Sequence, residues 1–196
     1  MKPGQYQVTE VVHHVLSSYV QPGNICVDAT CGNGVDTLFL AEKVGKEGCV
    51  YGFDIQKKAI EETNYRLESA DQRTQVVLFF AGQETRKEQW LERDGEIAGH
   101  VAAAIFNFGY LPGGDYAIHT RAETSIKAMS QCQELLAVGG IMALCIYSGG
   151  DTGHEEKEAV LQYLEQLDQK RWLVLKLEYF NRGNNPPIPV FAIKLR

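Results

Sequence analysis

Residues 24–41, "NICVDATCGNGVDTLFLA", decide the fold. "NICVDAT" is short and apolar, as a buried strand is, and "VDTLFLAEKVG" has helical spacing with Gly45 near its end. Between them the chain must turn sharply. Gly32 and Gly34 accept backbone angles that other residues avoid, and they let a ligand come close to the main chain. A strand, a glycine loop and a helix in that order open a parallel α/β unit.

The pattern repeats outward. Upstream, "QVTEVVHHVLSSYV" is apolar at 8, 11, 12, 15, 16 and 19, which is helical periodicity, and Pro22-Gly23 stops it. Residues 1–22 are therefore expected as an N-terminal helix packing on the rest of the domain. Downstream, "GCVYGFDI" is a strand, "QKKAIEETNYRLESA" a helix and "QVVLFFAG" a strand, with a helix through Trp90 after it. "HVAAAIFN" is a strand, "TRAETSIKAMSQCQELLAVGG" a helix and "IMALCIYS" a strand. "GHEEKEAVLQYLEQLDQK" is a helix, acidic at its start as the helix dipole prefers. "WLVLKLEYF" and "IPVFAIKLR" close the chain as strands joined by "NRGNNPP". Alternation at this spacing predicts an α/β fold: a seven-stranded, mostly parallel sheet with helices on both faces. The closing pair supplies one antiparallel strand. Near-continuous apolar strands agree, because strands covered on both sides lose polar alternation. No linker or composition break appears, so residues 1–196 read as a single domain. In such sheets ligands bind outside the carboxyl ends of the strands, where the strand order reverses.

Composition narrows the class. Of 196 residues, 44% are apolar and 22% charged, ordinary values for a globular domain. No apolar run approaches the roughly 20 residues of a membrane span, and "MKPGQYQVTE" lacks a signal-peptide core, so a cytoplasmic protein is expected. Five cysteines, at 26, 31, 49, 132 and 145, show no CxxC spacing and predict neither a disulfide framework nor a metal site. Cys31, in the glycine loop, is expected to pack. A net charge of −6 argues against a broad basic surface for nucleic acid, though a local cluster can still hold one nucleotide.

Two cofactors compete for the glycine loop. A dinucleotide wants G-x-G-x-x-G, but Thr37 stands at the third position, and Asp28 and Asp36 oppose a pyrophosphate at the helix N-terminus. S-adenosylmethionine carries a sulfonium and an amino group, which an acidic loop suits. Asp54 ends the next strand about 20 residues after Gly34, where a carboxylate can accept from both ribose hydroxyls. The loop therefore reads as a seat for S-adenosylmethionine.

"DATCGNGVDTLFLA", "GFDIQ", "FNFGYLPGGD" and "NNPP" together resemble a small bacterial family labelled rRNA methylases, over nearly the whole chain. The resemblance implies a Rossmann-like class I methyltransferase using S-adenosylmethionine. Some members methylate the 5-aminomethyl group of the tRNA wobble uridine, so the anticodon loop of tRNA is the implied partner. By the class pattern Asp28, Gly32, Asn33 and Gly34 meet the methionine end of the cofactor, with Asp36 beside them. Thr37 reaches either a first-turn backbone group or the methionine carboxylate. Asp54 and Ile55 meet ribose and adenine, and Gln83 the adenine edge. Two positions depart from the family: Val35 replaces its usual His, and Gly149-Gly150 replaces Gly-His, with His154 further on. No histidine role carries over to either place.

"FNFGYLPGGD", residues 106–115, follows the fourth strand, where class I enzymes acting on amino nitrogens often have Asn/Asp-Pro-Pro-Tyr. Methyl transfer is an in-line displacement needing approach at about 3 Å. Asn107 can hold the acceptor amine and also touch the cofactor. Tyr110 can support positive charge or stack on a base. Asp115 is the first candidate base, because an alkylamine with a pKa of about 10.4 is protonated at neutral pH. Phe108, Gly109, Leu111, Pro112, Gly113 and Gly114 line the substrate side, with His14 and His119 as further base candidates. His13 reads as structural or exposed. Arg182 and Asn185 in "NRGNNPP" are candidates for substrate contact, Arg182 toward a phosphate, with Arg121 and Lys127 as lesser ones. A homodimer would supply the groove that an acidic monomer lacks. Methylation of rRNA or of a small-molecule amine stays open, as does a cofactor-binding module without catalysis.

Overall fold

The computed structural model describes residues 7–81, 97–108, 122–147, 153–183 and 185–196. Its elements in chain order are α1 (Val8–Leu16), β1 (Ile25–Asp28), α2 (Val35–Val44), β2 (Cys49–Asp54), α3 (Lys57–Ser69), β3 (Val76–Phe80), β4 (Val101–Phe108), α4 (Ala122–Leu135), β5 (Leu136–Ile146), α5 (Gly153–Glu165), β6 (Trp172–Lys176) and β7 (Ile188–Lys194). The strands form one seven-stranded sheet in the order β3-β2-β1-β4-β5-β7-β6. Pairs from β3 through β5 are parallel, and β7 runs antiparallel to both β5 and β6. The sheet is the expected one, with β7 as its antiparallel strand. The helix expected through Trp90 lies outside the described residues.

Strand periodicity sorts the core into two layers. Ala103 and Ile105 of β4 face α1 and α2, joining Val12, Leu16, Leu40 and Val44. Ala104, Phe106 and Phe108 face the opposite side, among Met129 and Cys132 of α4 and Val160 and Leu164 of α5. α1 lies on β5 and β7, so the N-terminal helix covers the sheet beside the β1–β4 crossing.

Several boundaries differ from the sequence reading: α1 ends at Leu16, short of Pro22, and α5 ends at Glu165, short of Lys170. The helix expected over 120–140 gives way to strand at Leu136, because Leu136 pairs with Val101 before the register jumps to Ala103–Ile141. Gly139, at φ +84°, allows the excursion between them. β6 is shorter than "WLVLKLEYF": the strand stops at Lys176, although Leu177 N still donates to Pro189 O at 3.0 Å.

The strand order reverses between β1 and β4. Asp28 there sits in register with Ile105. The carboxyl ends of β1, β2 and β4 thus meet at one crevice, where open α/β sheets hold ligands.

Candidate active site

The glycine loop is held from three sides. Cys31 N donates to Phe53 O at 2.9 Å and Gly32 N to Asp54 Oδ2 at 3.0 Å, tying the loop to β2. From α3, Thr63 Oγ1 donates to Gly32 O at 3.2 Å and Arg66 Nε to Asn33 O at 2.6 Å. Beneath it, Asp28 is fully buried and accepts from Thr30 N at 3.0 Å and Thr37 Oγ1 at 2.6 Å. Desolvation, with the neighbouring Asp36 charge adding to it, pushes the Asp28 carboxyl up to about 7. None of the five cysteines is in a disulfide, and Cys31 packs, with Gly52 of β2 leaving room for its sulfur.

Asp54 is half-buried at the end of β2, and burial raises its carboxyl above the usual range. Its oxygens each take one backbone N–H, Oδ1 from Gln56 at 2.8 Å and Oδ2 from Gly32. A carboxylate oxygen has a second lone pair, so ribose hydroxyls still have acceptors there. Ile55 stands 46% exposed beside it, and Phe80, paired with Asp54 across β2–β3, is 64% exposed. Phe80 offers an apolar face for an adenine that sequence reasoning did not name. Its signal was an aromatic residue at a strand end next to the acidic one. Asn33 Oδ1 is buried with no hydrogen-bond partner, which suits a cofactor amino group.

A second polar cluster in the crevice centres on Asn107. Period-two alternation from Ala103 and Ile105 turns Asn107 toward α1 and α2. Its backbone N donates to Thr30 Oγ1 at 2.8 Å, and its Nδ2 donates to Asp36 Oδ2 at 2.7 Å. Asp36 Oδ1 accepts from His13 Nε2 at 2.5 Å. No described residue donates to Asn107 Oδ1.

Several candidates sit elsewhere than the sequence suggested. Thr37, fully buried, spends its hydroxyl on Asp28 and reaches neither a backbone group nor the crevice. Asp36, with both oxygens engaged, serves Asn107 and His13. Phe108 is a core residue, stacked on Phe106 at 5.7 Å, because it follows Asn107 and so points to the other face. His14 lies on the exposed face of α1, while His13 points inward. Neither His13 nor Thr30 was legible as a site residue, since their partners are 23 and 77 residues away. Burial, then Cys145, Asp36 and Tyr179, raise the Tyr147 phenol, and Tyr179 in turn feels Arg182. Arg182 is exposed in the turn after β6, its N donating to Tyr179 O at 3.2 Å. Asn185 is exposed at φ +43°, and Lys127 is exposed on α4. Gln83, Gly109, Tyr110, Leu111, Pro112, Gly113, Gly114, Asp115, His119, Arg121, Gly149 and Gly150 lie outside the described residues, as does the side chain of His154.

Among the described residues, no group of three His, Cys, Asp or Glu is placed to hold a metal ion, and no helix is long and apolar enough to cross a membrane. The family model described as "Putative rRNA methylase" matches residues 50–193. A chloroplastic tRNA (mnm(5)s(2)U34)-methyltransferase of Arabidopsis thaliana is 35% identical over 201 residues, spanning 97% of this chain and 70% of that protein. A Clostridium thermocellum crystal structure described as a putative rRNA-methylase is 44% identical, with TM-score 0.89 over 96% of this chain and 97% of its own. A Streptococcus mutans protein described as a putative methyltransferase, solved in complex with SAH, is 34% identical, with TM-score 0.83 over 96% and 98% of the two chains.

Proposed function

The chain belongs to this rRNA methylase family and is an S-adenosylmethionine-dependent methyltransferase; from that premise we propose that its acceptor is the amino nitrogen of 5-aminomethyl-(2-thio)uridine at the tRNA wobble position. The product is 5-methylaminomethyl-(2-thio)uridine. Seated in the crevice, S-adenosylmethionine supplies an electrophilic methyl on a sulfonium. Gly32, Asn33 and Gly34 form the cradle for its methionine end, with Asp28 supporting the loop from below. Asp54 takes the ribose, and Ile55 and Phe80 the adenine.

One observation carries the choice of an amine. Asp36 takes Asn107 Nδ2, which leaves the carboxamide oxygen, a hydrogen-bond acceptor that no described residue donates to, for a methyl-acceptor group in our reading. An amine nucleophile carries N–H groups that need such an acceptor. An Asn107 oxygen binding one N–H fixes the direction of the nitrogen lone pair, and orientation of this kind lowers the barrier by removing unproductive approaches. Desolvation in the crevice favours the neutral amine, the form that attacks. Asp115 remains the proposed proton acceptor, and Tyr110 the aromatic support. The setting we infer is cytoplasmic, with two copies of the chain building the groove for the anticodon loop.

The test is methyl transfer from labelled S-adenosylmethionine to tRNA bearing 5-aminomethyl-(2-thio)uridine, with rRNA and simple alkylamines in parallel. Nucleoside mass analysis should find one added methyl on the wobble nucleoside and none in the other two. Label only in rRNA or only in the free amine would reassign the substrate. Cofactor binding with no acceptor in total RNA would leave a module without catalysis.

Asp54→Ala should weaken S-adenosylmethionine binding by about 1–3 kcal/mol, roughly 5- to 150-fold in Kd, the scale of hydrogen bonds to a charged group. Asp54→Asn, which keeps an acceptor for one backbone N–H, should lose less. Titration calorimetry reads both, and an unchanged Kd in Asp54→Ala would remove Asp54 from the ribose site.

A further inference from the structure

Asn107 is the last member of a hydrogen-bond chain that starts outside the cofactor loop. His13 Nε2 lies 2.5 Å from Asp36 Oδ1, and Asp36 Oδ2 accepts from Asn107 Nδ2 at 2.7 Å. We propose that His13 is a positioning residue for methyl transfer: by fixing Asp36 it keeps the Asn107 carboxamide turned with nitrogen inward and oxygen toward the acceptor. This rests on the reading that Asn107 holds the acceptor amine.

The need for such a residue comes from the shape of a carboxamide. Its oxygen and NH2 ends are nearly the same size, and rotation exchanges a donor for an acceptor. Thr30 Oγ1 does not choose between the two orientations, since a hydroxyl can donate or accept. A carboxylate accepts only, so Asp36 does choose. Asp36 is itself 7% exposed and near the buried Asp28, and its two oxygens must be held if it is to choose reliably. Asn107 holds one oxygen and His13 the other.

His13 is built to be still. Its ring stacks on Phe39 of α2 with centroids 3.9 Å apart and planes 3° from parallel. Its carbonyl accepts from Ser17 Oγ at 2.8 Å, in addition to the helix hydrogen bond from Ser17 N at 2.9 Å. The imidazole is half-buried between α1 and α2, so its Nε2–H is aimed by packing on one side and by the carboxylate on the other. α1 thus adds a side chain to a cluster otherwise built from β4, α2 and the loop after β1.

Two variants separate the donor from the packing. His13→Phe keeps the stack on Phe39 and removes the N–H. His13→Gln loses the stack and offers an amide N–H. His13→Phe is expected to lower kcat about 10-fold, the effect of modest misalignment of the acceptor, with KM for tRNA and Kd for S-adenosylmethionine within about 2-fold of the parent. His13→Gln should recover most of the lost turnover despite its poorer packing. The side-chain amide pair of Asn107, read by nitrogen-edited NMR without any substrate, should shift in His13→Phe and return toward the parent position in His13→Gln. Parent-like kcat or an unmoved Asn107 amide pair in His13→Phe would overturn the proposal, as would equal loss in both variants together with a lowered Tm. If the parent enzyme methylates no amine, the substrate reading fails, and the Asn107 amide pair still decides whether His13 positions that side chain.

Discussion

Asn107→Ala is expected to cut turnover about 100-fold or more while S-adenosylmethionine still binds. The side chain does two jobs at once. In the proposed reaction its oxygen is the acceptor offered to the incoming amine, and in the structure its Nδ2 donates to Asp36 Oδ2 at 2.7 Å. Loss of the oxygen frees the amine to adopt approaches that miss the sulfur–methyl axis, and small misplacements of a reacting atom cost on the order of 100-fold. Loss of Nδ2 takes a partner from a carboxylate that is 7% exposed, worth about 1–3 kcal/mol of stability. The two consequences separate experimentally. Single-turnover transfer at saturating cofactor reads the first, and thermal unfolding reads the second. Asn107→Asp should be slower than the parent as well, because a second carboxylate would face Asp36 where an N–H donor stood. Near-normal single-turnover rates in Asn107→Ala would remove this residue from the mechanism.

The fold was legible because its signals are local. Apolar runs bounded by glycine and proline marked the strands, and the alternation of strand and helix fixed the parallel sheet. The spacing of the closing pair gave β7 its direction. The start of β5 was not legible. "ELLAVGG" has apolar residues adjacent in sequence, and only pairing of Leu136 with Val101 tells a strand from the last turn of a helix. Tertiary partners decide such short apolar runs.

That the glycine loop and the carboxylate ending the next strand lie side by side was legible for the same reason. Gly32, Gly34 and Asp54 are read from a loop and from the end of the next strand. The cluster around Asn107 was not, because it is assembled across long separations: His13 with Asp36, Asp36 with Asn107, Asn107 with Thr30. None of these pairs leaves a periodic trace. One part of it could have been found. Ala103, Ile105 and Asn107 share a face of β4, so Phe108 had to point into the opposite layer and could have been assigned to the core from alternation alone. Polar residues on helices are harder to sort. Val12, Leu16 and Val8 define the buried stripe of α1, and His13 and His14 flank it. Only the position of α2 makes one of the two face a carboxylate.

Gly34→Ala should damage both stability and cofactor binding, for a reason that its neighbour in space makes specific. Gly34 caps α2 at φ +74°, in the left-handed region where a side chain costs about 1–2 kcal/mol. A Cβ there would also lie 2.8 Å from Thr63 Cα and 3.0 Å from Thr63 Oγ1. The closer atom is backbone, so trimming Thr63 gives no relief, and the loop must lift away from α3. That movement strains the bonds from Thr63 to Gly32 O and from Arg66 to Asn33 O, which shape the cradle. Together these effects are expected to cost about 2–4 kcal/mol, a Tm lower by roughly 4–16 °C, and to weaken S-adenosylmethionine binding by about 10-fold or more. Gly23→Ala is the matched comparison. Gly23 is also left-handed, at φ +85°, but a Cβ there meets nothing within 4 Å. It should lose only the conformational share, about 1–2 kcal/mol, and bind cofactor as the parent does. If the two variants bound cofactor equally well, the close approach of loop and helix would be irrelevant to the cradle, and the methionine end of the cofactor would have to be sought elsewhere along the strand ends.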